Sequence, residues 1–168
     1  MANNKSIVHL ICGSTGAGKT TYANGLAKNK GAIKLILDEW MQDLFGADFP
    51  DPIYYEWAIK RVERCEDHAL KLCKQLIAKN QEVIFDFGFF KYNQREKIRT
   101  ACIDFGAEVK LHYLQVDPEI RWERVEHRNK IKGDTYSLDV TRGMFDFCED
   151  LFEELNHQEV ISCIVIKN

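Results

Sequence analysis

The chain has 168 residues, of which 45% are hydrophobic and 29% are charged, and its formal net charge is −3. This length suits one domain with a buried core, and the composition is that of a globular rather than a disordered protein. The slightly acidic balance is not that of a dominant nucleic-acid-binding surface, which is normally basic. We therefore expect a single domain over residues 1–168, for which nucleic acid is not the expected partner.

Cysteine spacing and the polar N-terminus exclude further classes of protein. The six cysteines include no Cys-x-x-Cys pair and no His spacing typical of zinc, so we expect reduced thiols that pack as small hydrophobic side chains. The first six residues lack the apolar stretch of a secretory signal, and no apolar run approaches the roughly 20 residues needed to cross a bilayer. We expect a cytoplasmic protein without a membrane partner.

Short apolar runs rich in β-branched residues alternate with helical periodicity along the whole chain. In chain order the pattern predicts a strand at 7–12, a helix at 18–28, a strand at 32–37, a short helix and loop at 39–52, a helix at 53–79, a strand at 82–86, a helix at 93–105, a strand at 109–116, a helix from Asp117-Pro118 to about 129, a polar mobile segment at 130–139, a helix at 140–155 and a strand at 160–166. Asn93 and Glu96 have the spacing of a helix capping box. Five strands joined by helical crossovers predict an α/β fold with a parallel sheet covered on both faces.

The first strand leads into a glycine-rich loop that matches the P-loop pattern. Its residues are Gly13, Ser14, Thr15, Gly16, Ala17, Gly18, Lys19 and Thr20, and Thr21 follows directly. Glycine permits backbone angles that turn successive N–H groups toward phosphate oxygens, and the N-terminus of the next helix adds positive charge. Lys19 can reach the β- and γ-phosphates, and the Thr20 hydroxyl can bind Mg²⁺. We expect this loop to bind a nucleoside triphosphate.

Two carboxylates stand at the ends of predicted strands, where ligands collect in a parallel sheet. Asp86 ends the third strand and is expected to bind Mg²⁺ or substrate, because a carboxylate at the end of a buried strand is costly unless it is paired. Asp38 follows the second strand and is a candidate for the base that takes a proton from an acceptor hydroxyl. Asp38 is also a residue type that caps helices, and the two roles are compatible.

Three arginines recur on the helix after the fourth strand, at positions 121, 124 and 128. This spacing places them on one helix face, beside the polar segment, from which they could close over a triphosphate. The alternative is a solvated charged face with Glu123 and Glu126 as ion-pair partners. With the glycine-rich loop present, we favour the functional role for Arg124 and Arg128.

These motifs together resemble the P-loop kinase-like ATP-binding proteins grouped with polynucleotide kinase, zeta toxin, chloramphenicol phosphotransferase and gluconate kinase. The resemblance implies a three-layer P-loop NTPase fold, sheet order 2-3-1-4-5 and a helical lid over about 124–142. It implies that Asp38 is the base, that Arg124 packs on adenine, and that Arg128 is a lid arginine facing phosphate. Met41 stands where two of these families carry an arginine, which disfavours a phosphorylated or nucleotide-like acceptor.

Aromatic residues cluster after Asp38 and after Asp86, at 40–57 and 87–92. These aromatic rings are expected either to line an acceptor pocket for a small, partly apolar or planar hydroxyl compound, or to pack against one another within the helical insertion.

The function predicted is an ATP- and Mg²⁺-dependent phosphotransferase with a small-molecule hydroxyl acceptor, Lys19, Asp38 and Arg128 being its catalytic residues. An ATP-binding or ATPase module acting through a protein partner, and a nucleic-acid 5′-hydroxyl kinase, are the alternatives. The sequence leaves open the acceptor, the choice between ATP and GTP, and the oligomeric state.

Overall fold

The structure is a computed structural model, which describes residues 5–133, 136 and 138–167. The strands are β1 (Ile7–Cys12), β2 (Ile33–Ile36), β3 (Val83–Gly88), β4 (Glu108–Gln115) and β5 (Ile164–Lys167). The helices are α1 (Lys19–Lys30), α2 (Leu37–Phe45), α3 (Tyr55–Ile77), α4 (Tyr92–Asp104), α5 (Pro118–Ile131), α6 (Arg142–Leu151) and α7 (His157–Ser162), with a 3-10 turn at Gly46–Asp48 after α2.

The five strands form one parallel sheet in the order β2-β3-β1-β4-β5, which confirms the predicted fold class and strand order. β3 is buried along its whole length, and β1 is buried from Val8 onward. Continuously apolar strands result because helices cover both faces of the sheet. Because the strands are parallel, their carboxyl ends lie at one edge of the sheet, where the glycine-rich loop after β1, the start of α2 after β2 and the end of β3 come together.

The two faces of the sheet carry separate hydrophobic clusters, because alternate residues of a strand point to opposite faces. On one face, Leu10 and Phe85 pack with residues of α3 and α4. On the other face, Ile11 and Ile84 pack against α1, where Ala23 is fully buried.

The start of α4 differs from its prediction. The capping box expected at Asn93 and Glu96 is wrong, because the helix begins at Tyr92 and its N-cap, Lys91, makes no side-chain bond. The Tyr92 backbone N–H instead donates to Oε2 of Glu153, 2.7 Å away. A carboxylate that is distant in sequence therefore satisfies this helix end.

The end of the chain also departs from the prediction of a strand over 160–166. Asn156 and Glu159 form a capping box that starts helix α7, so Val160 and Ile161 are helical and β5 begins only at Ile164. The apolar run at 160–166 resembles a strand in composition, but the capping box at Asn156 and Glu159 makes the first part of this run helical.

The predicted lid at 124–142 and mobile segment at 130–139 include residues 134, 135 and 137, which lie outside the described residues. On either side of them, α5 continues to Ile131 and the side chain of Asn129 bonds both backbone groups of Val140, at 2.8 and 3.2 Å. The six cysteines are all free thiols, as expected. Among the described helices, none has the length and apolar character to span a membrane.

Candidate active site

The glycine-rich loop connects the carboxyl end of β1, at Cys12, to the start of α1, at Lys19. Gly16 and Gly18 have φ values of 79° and 91°, which glycine adopts without the steric cost that a side chain would impose. The Ala17 N–H donates to the Ser14 carbonyl at 3.2 Å and closes the turn. The N-cap of α1, Gly18, supplies no side-chain bond, so the positive end of this helix faces the loop without an internal cap.

Lys19 and Thr20 begin α1 and point to different partners. The Lys19 ammonium donates to the Ser14 carbonyl at 3.0 Å, which folds the lysine back over the loop. The Thr20 hydroxyl donates to Oδ2 of Asp86 at 2.7 Å, which joins α1 to β3. Thr21 is exposed on α1.

Asp86 is the buried acid of this edge, with 6% of its surface exposed. Burial raises the pKa of its carboxyl group, while the Lys19 charge and the Thr20 hydrogen bond act in the opposite direction and the charge of Asp38 raises it further. The adjacent hydroxyl and carboxylate oxygens are the hard ligands that Mg²⁺ prefers, so Thr20 and Asp86 fit this ion. Within the described residues, no group of three or more acidic, His or Cys side chains forms a cage for a metal.

Asp38 is exposed at the same edge of the sheet. Ile36 of β2 pairs with Asp86 of β3, and α2 begins at Leu37, so Asp38 lies in the first helical turn beside the end of β3. The N-cap role is wrong: the N-cap is Ile36, and Asp38 makes no capping bond. Its carboxylate is thus not engaged in capping α2.

The three arginines of α5 have different environments. Arg121 is buried and bonds the carbonyls of Val116 and Thr15 at 2.9 and 3.1 Å. Arg124 is exposed, and its guanidinium lies 3.5 Å from the Ala17 carbonyl, so it borders the loop. Arg128 is half-buried, and its Nε atom has no hydrogen-bond partner among the residues that the structure describes.

The charged-face alternative for α5 finds no support in the ion pairs of the described residues, none of which includes Glu123 or Glu126. Two of the three arginines contact the backbone of the glycine-rich loop instead.

Glu149 of α6 also contacts the glycine-rich loop, although no motif in the sequence indicated it. The Ser14 hydroxyl donates to Glu149 Oε1, and the Arg121 guanidinium holds both carboxylate oxygens, with N–O distances of 2.6 and 2.5 Å. Arg121 is the largest cause that lowers the pKa of Glu149, so this carboxylate is charged at neutral pH. Ser14 and Glu149 are 135 residues apart, and no local pattern marks such a pair.

A cavity of about 410 Å³ opens beside this pair at the end of β4. Its lining includes the polar side chains of Ser14, Arg121 and Glu149 and the rings of Tyr113 and Phe152. The cavity lies at the end of β4, whereas Asp38 follows β2 and Asp86 belongs to β3, on the other side of β1 in the sheet. The glycine-rich loop, which follows β1, therefore lies between the two carboxylates and this cavity.

The aromatic rings predicted near the acceptor range from buried to exposed. The Trp40 ring meets Phe87 edge-on at 6.0 Å, and Phe87 and Phe89 are buried. Tyr55 remains 41% exposed and contacts Phe147 of α6, with ring centroids 5.9 Å apart. The packing interpretation holds for these core rings, whereas the Tyr55–Phe147 pair between α3 and α6 is half-exposed.

Comparisons with known proteins agree with this geometry. The family described as AAA domain matches residues 8–155. Kti12 from Chaetomium thermophilum in complex with ADP-AlF3 is similar over 96% of this chain and 88% of that one, with TM-score 0.71 and 13% identity. The APS kinase CysC of Mycobacterium tuberculosis, in complex with AMPPNP and APS, is similar over 97% and 88%, with TM-score 0.64 and 14% identity.

A gluconokinase from Sinorhizobium meliloti 1021 is also similar, over 98% of this chain and 82% of that one, with TM-score 0.58 and 15% identity. No curated protein matches the chain. The matched family model spans most of the chain, and the similar structures share its fold over most of their length. The chain therefore belongs to the AAA domain family, and its fold is that of the P-loop kinases.

Proposed function

We propose that the protein is an ATP-dependent phosphotransferase that moves the γ-phosphate to a hydroxyl group of a small molecule. The observation that carries the proposal is the meeting of Lys19, Thr20 and Asp86 at one sheet edge, with Asp38 on the neighbouring strand end. A pure nucleotide-binding site has no need of the additional exposed carboxylate. A phosphotransferase does, because the acceptor hydroxyl loses its proton during transfer.

The loop would hold the triphosphate through its backbone N–H groups and the N-terminus of α1. The Lys19 ammonium, now on the Ser14 carbonyl at 3.0 Å, would turn to the β- and γ-phosphates and offset their charge. Mg²⁺ bound by Thr20 and Asp86 would supply charge neutralisation at the phosphate oxygens. Arg124, which borders the loop at Ala17, would contact the adenine, and Arg128 would face the phosphates.

Asp38 would orient the acceptor hydroxyl and accept its proton as the oxygen bonds to phosphorus and the ADP oxygen leaves. Its exposure gives an acceptor access to it, and its charge reaches Asp86, whose pKa it raises. Asp38 follows β2 by two residues, and the last residue of β2, Ile36, pairs with Asp86, so both carboxylates lie at the same sheet edge.

The acceptor would be a small, partly apolar or planar hydroxyl compound. The Tyr55–Phe147 pair leaves two half-exposed rings between α3 and α6, which suits a ring or an apolar chain. Met41 packs against the core cluster and offers no charge to a phosphorylated acceptor. Turnover restricted to highly polar sugars, in a screen of hydroxylated metabolites and antibiotics, would contradict this choice of acceptor.

A nucleotide-binding or ATPase module that acts on a protein partner is the second candidate. The exposed apolar side chains of Leu44, Tyr54 and Phe147 favour it, because apolar groups at the surface can serve as contacts for another protein. The two candidates differ in what they require of Asp38, since only transfer to an acceptor needs a base at that position.

Replacing Asp38 tests the proposal. We expect Asp38→Asn to lower phosphate transfer at least about 100-fold, because the amide cannot accept the proton, and to leave the Kd for Mg·ATP within about twofold. Transfer is measured as ADP formed with and without acceptor, and affinity is measured by calorimetric titration.

Glu39→Gln is the matched control, since Glu39 is the adjacent exposed carboxylate of the same helix. It should leave both quantities unchanged. Equal activity of Asp38→Asn and the wild type would favour the second candidate, as would a wild-type protein that binds Mg·ATP but phosphorylates no compound in the screen.

A further inference from the structure

The Arg121–Glu149 pair lies against the outside of the glycine-rich loop and joins the helices that flank residues 132–141. Arg121 belongs to α5 and Glu149 belongs to α6. Only 7% of the Arg121 side chain and 27% of the Glu149 side chain are exposed, and two parallel N–H···O contacts join them. A bidentate pair of this kind fixes the relative orientation of its two partners.

Three successive residues of the loop contact this pair. The Ser14 hydroxyl donates to Glu149, and the Thr15 carbonyl accepts from Arg121 at 3.1 Å. The backbone of Arg121 approaches Gly16 so closely that a Cβ there would lie 2.5 Å from the Arg121 carbonyl oxygen. The residues of the Arg121–Glu149 pair therefore contact the first half of the loop at Ser14, Thr15 and Gly16.

A carboxylate at this position carries a cost for phosphate binding. Glu149 is negatively charged, and a triphosphate in the loop would bring several negative charges close to it in a partly buried site, where screening is weak. The guanidinium of Arg121 cancels this charge while it leaves a carboxylate oxygen in place for Ser14. Removing Arg121 would leave Glu149 uncompensated beside the phosphates.

We propose, resting on the nucleotide binding that the proposed function requires, that Arg121 and Glu149 are positioning residues for the nucleoside triphosphate. Glu149 orients the Ser14 hydroxyl and thereby fixes the conformation of the loop. Arg121 neutralises the charge of Glu149, so that this carboxylate does not repel the phosphates. The proposal predicts an order of nucleotide affinity, whereas a purely structural ion pair would show such an order only in stability, where an uncompensated buried charge is also costly. Loss of Arg121 alone is worse for nucleotide binding than loss of both charges together.

A double-mutant cycle on the Kd for Mg·ATP, measured by calorimetric titration at low salt, tests this prediction. We expect Arg121→Gln to weaken binding at least about tenfold. Glu149→Gln retains an acceptor for Ser14 and should stay within about threefold of the wild type. The double variant should bind at least about threefold more tightly than Arg121→Gln, and raising KCl from about 50 to 500 mM should narrow that gap.

A double variant that binds as weakly as Arg121→Gln, or more weakly, would overturn the proposal. Thermal unfolding accompanies each titration, because a structural role alone would lower Tm without the reversal in affinity. If Arg121→Gln fails to fold, Arg121→Lys replaces it in the test. Because lysine keeps the positive charge, this variant should bind Mg·ATP within about threefold of the wild type. A tenfold loss of affinity would count against charge compensation.

The matched control is the exposed ion pair of α4 between Arg99 Nε and Glu96 Oε1, which are 2.5 Å apart and do not contact the loop. The substitutions Arg99→Gln and Glu96→Gln are made singly and together. Neither single variant nor their combination should change the Kd. The cycle reads binding alone, so a protein that binds Mg·ATP without phosphorylating any acceptor would refute the proposed function and leave this inference standing. A wild type that fails to bind Mg·ATP would refute both.

Discussion

At the scale of single residues, Gly16 connects the glycine-rich loop to helix α5. Its φ of 79° and the nearby Arg121 carbonyl leave no room for a side chain. The sequence showed only that a glycine stood inside a P-loop pattern. The structure adds that Gly16 is the point at which α5 packs on the loop, with Val125 as the second neighbour.

We expect Gly16→Ala to lower the free energy of unfolding by about 2 kcal/mol and to weaken nucleotide binding, because the added Cβ meets backbone and the positive φ is strained. Denaturant unfolding and calorimetric titration measure the two effects. Gly25→Ala is the control: Gly25 lies in α1 with nothing within 4 Å of an added Cβ, so alanine should stabilise the helix by about 0.5–1 kcal/mol. Equal effects of the two substitutions would contradict the packing role of Gly16.

At the scale of elements, a buried hydrogen-bonded chain links β1, β4 and α1. His9 Nδ1 lies 2.9 Å from His112 Nε2, and His112 Nδ1 lies 2.9 Å from the Tyr22 hydroxyl. His9 Nε2 lies 3.2 Å from Glu82 Oε2. With both rings neutral, Tyr22 donates to His112, His112 donates to His9, and His9 donates to Glu82, so every group is satisfied.

This chain makes the stability of the protein depend on pH. Burial is the main cause that lowers the pKa of His112 to about 4, with His9 and Lys110 adding to it. Burial also lowers the pKa of His9, against the opposing effect of Glu82. The unfolded chain binds protons at histidine from about pH 6.5 downward, whereas the folded His112 resists until about pH 4, so stability falls as the pH falls through this window.

At about 1.4 kcal/mol per pKa unit, we expect His112 to account for a loss of about 3 kcal/mol between pH 7 and 4. Urea unfolding at several pH values, compared with His112→Gln, measures this contribution. The variant should show a flatter pH dependence, whereas the control His127→Gln, at an exposed position of α5, should keep the wild-type slope. An unchanged slope in His112→Gln would show that other groups govern the acid response.

At the scale of the whole molecule, Arg95 of α4 attaches the C-terminal part of the chain to the sheet. It is 2% exposed, pairs with Glu159 of α7 at 2.6 Å, and donates to the backbone carbonyls of Phe89 and Glu153 at 3.1 and 3.0 Å. One guanidinium thus joins α4, α7, the end of β3 and the α6–α7 connection. The position of β5 depends on this junction because α7 directly precedes it.

We expect Arg95→Met to cost about 3 kcal/mol or more of the free energy of unfolding, because Glu159 would lose its buried partner. Arg99→Met removes an exposed ion pair one helical turn away and should cost less than about 1 kcal/mol. Chemical unfolding gives both values, and amide exchange should show faster opening of β5 in the Arg95 variant alone. Similar costs for the two variants would contradict the anchoring role.

The sequence by itself determined the glycine-rich loop, and the order of strands and helices as far as α6, because these rest on local patterns of polarity and glycine. Asp38 and Asp86 could be expected at one edge because parallel strands end together, and the Ile36–Asp86 pairing bears that out. Tertiary structure alone decided the Glu149 contact with Ser14 and the His9–His112 contact, which join residues 135 and 103 positions apart. It also decided where α4 begins, since the partner of its first N–H comes from a distant carboxylate, and contacts at such separations leave no periodic trace in the chain.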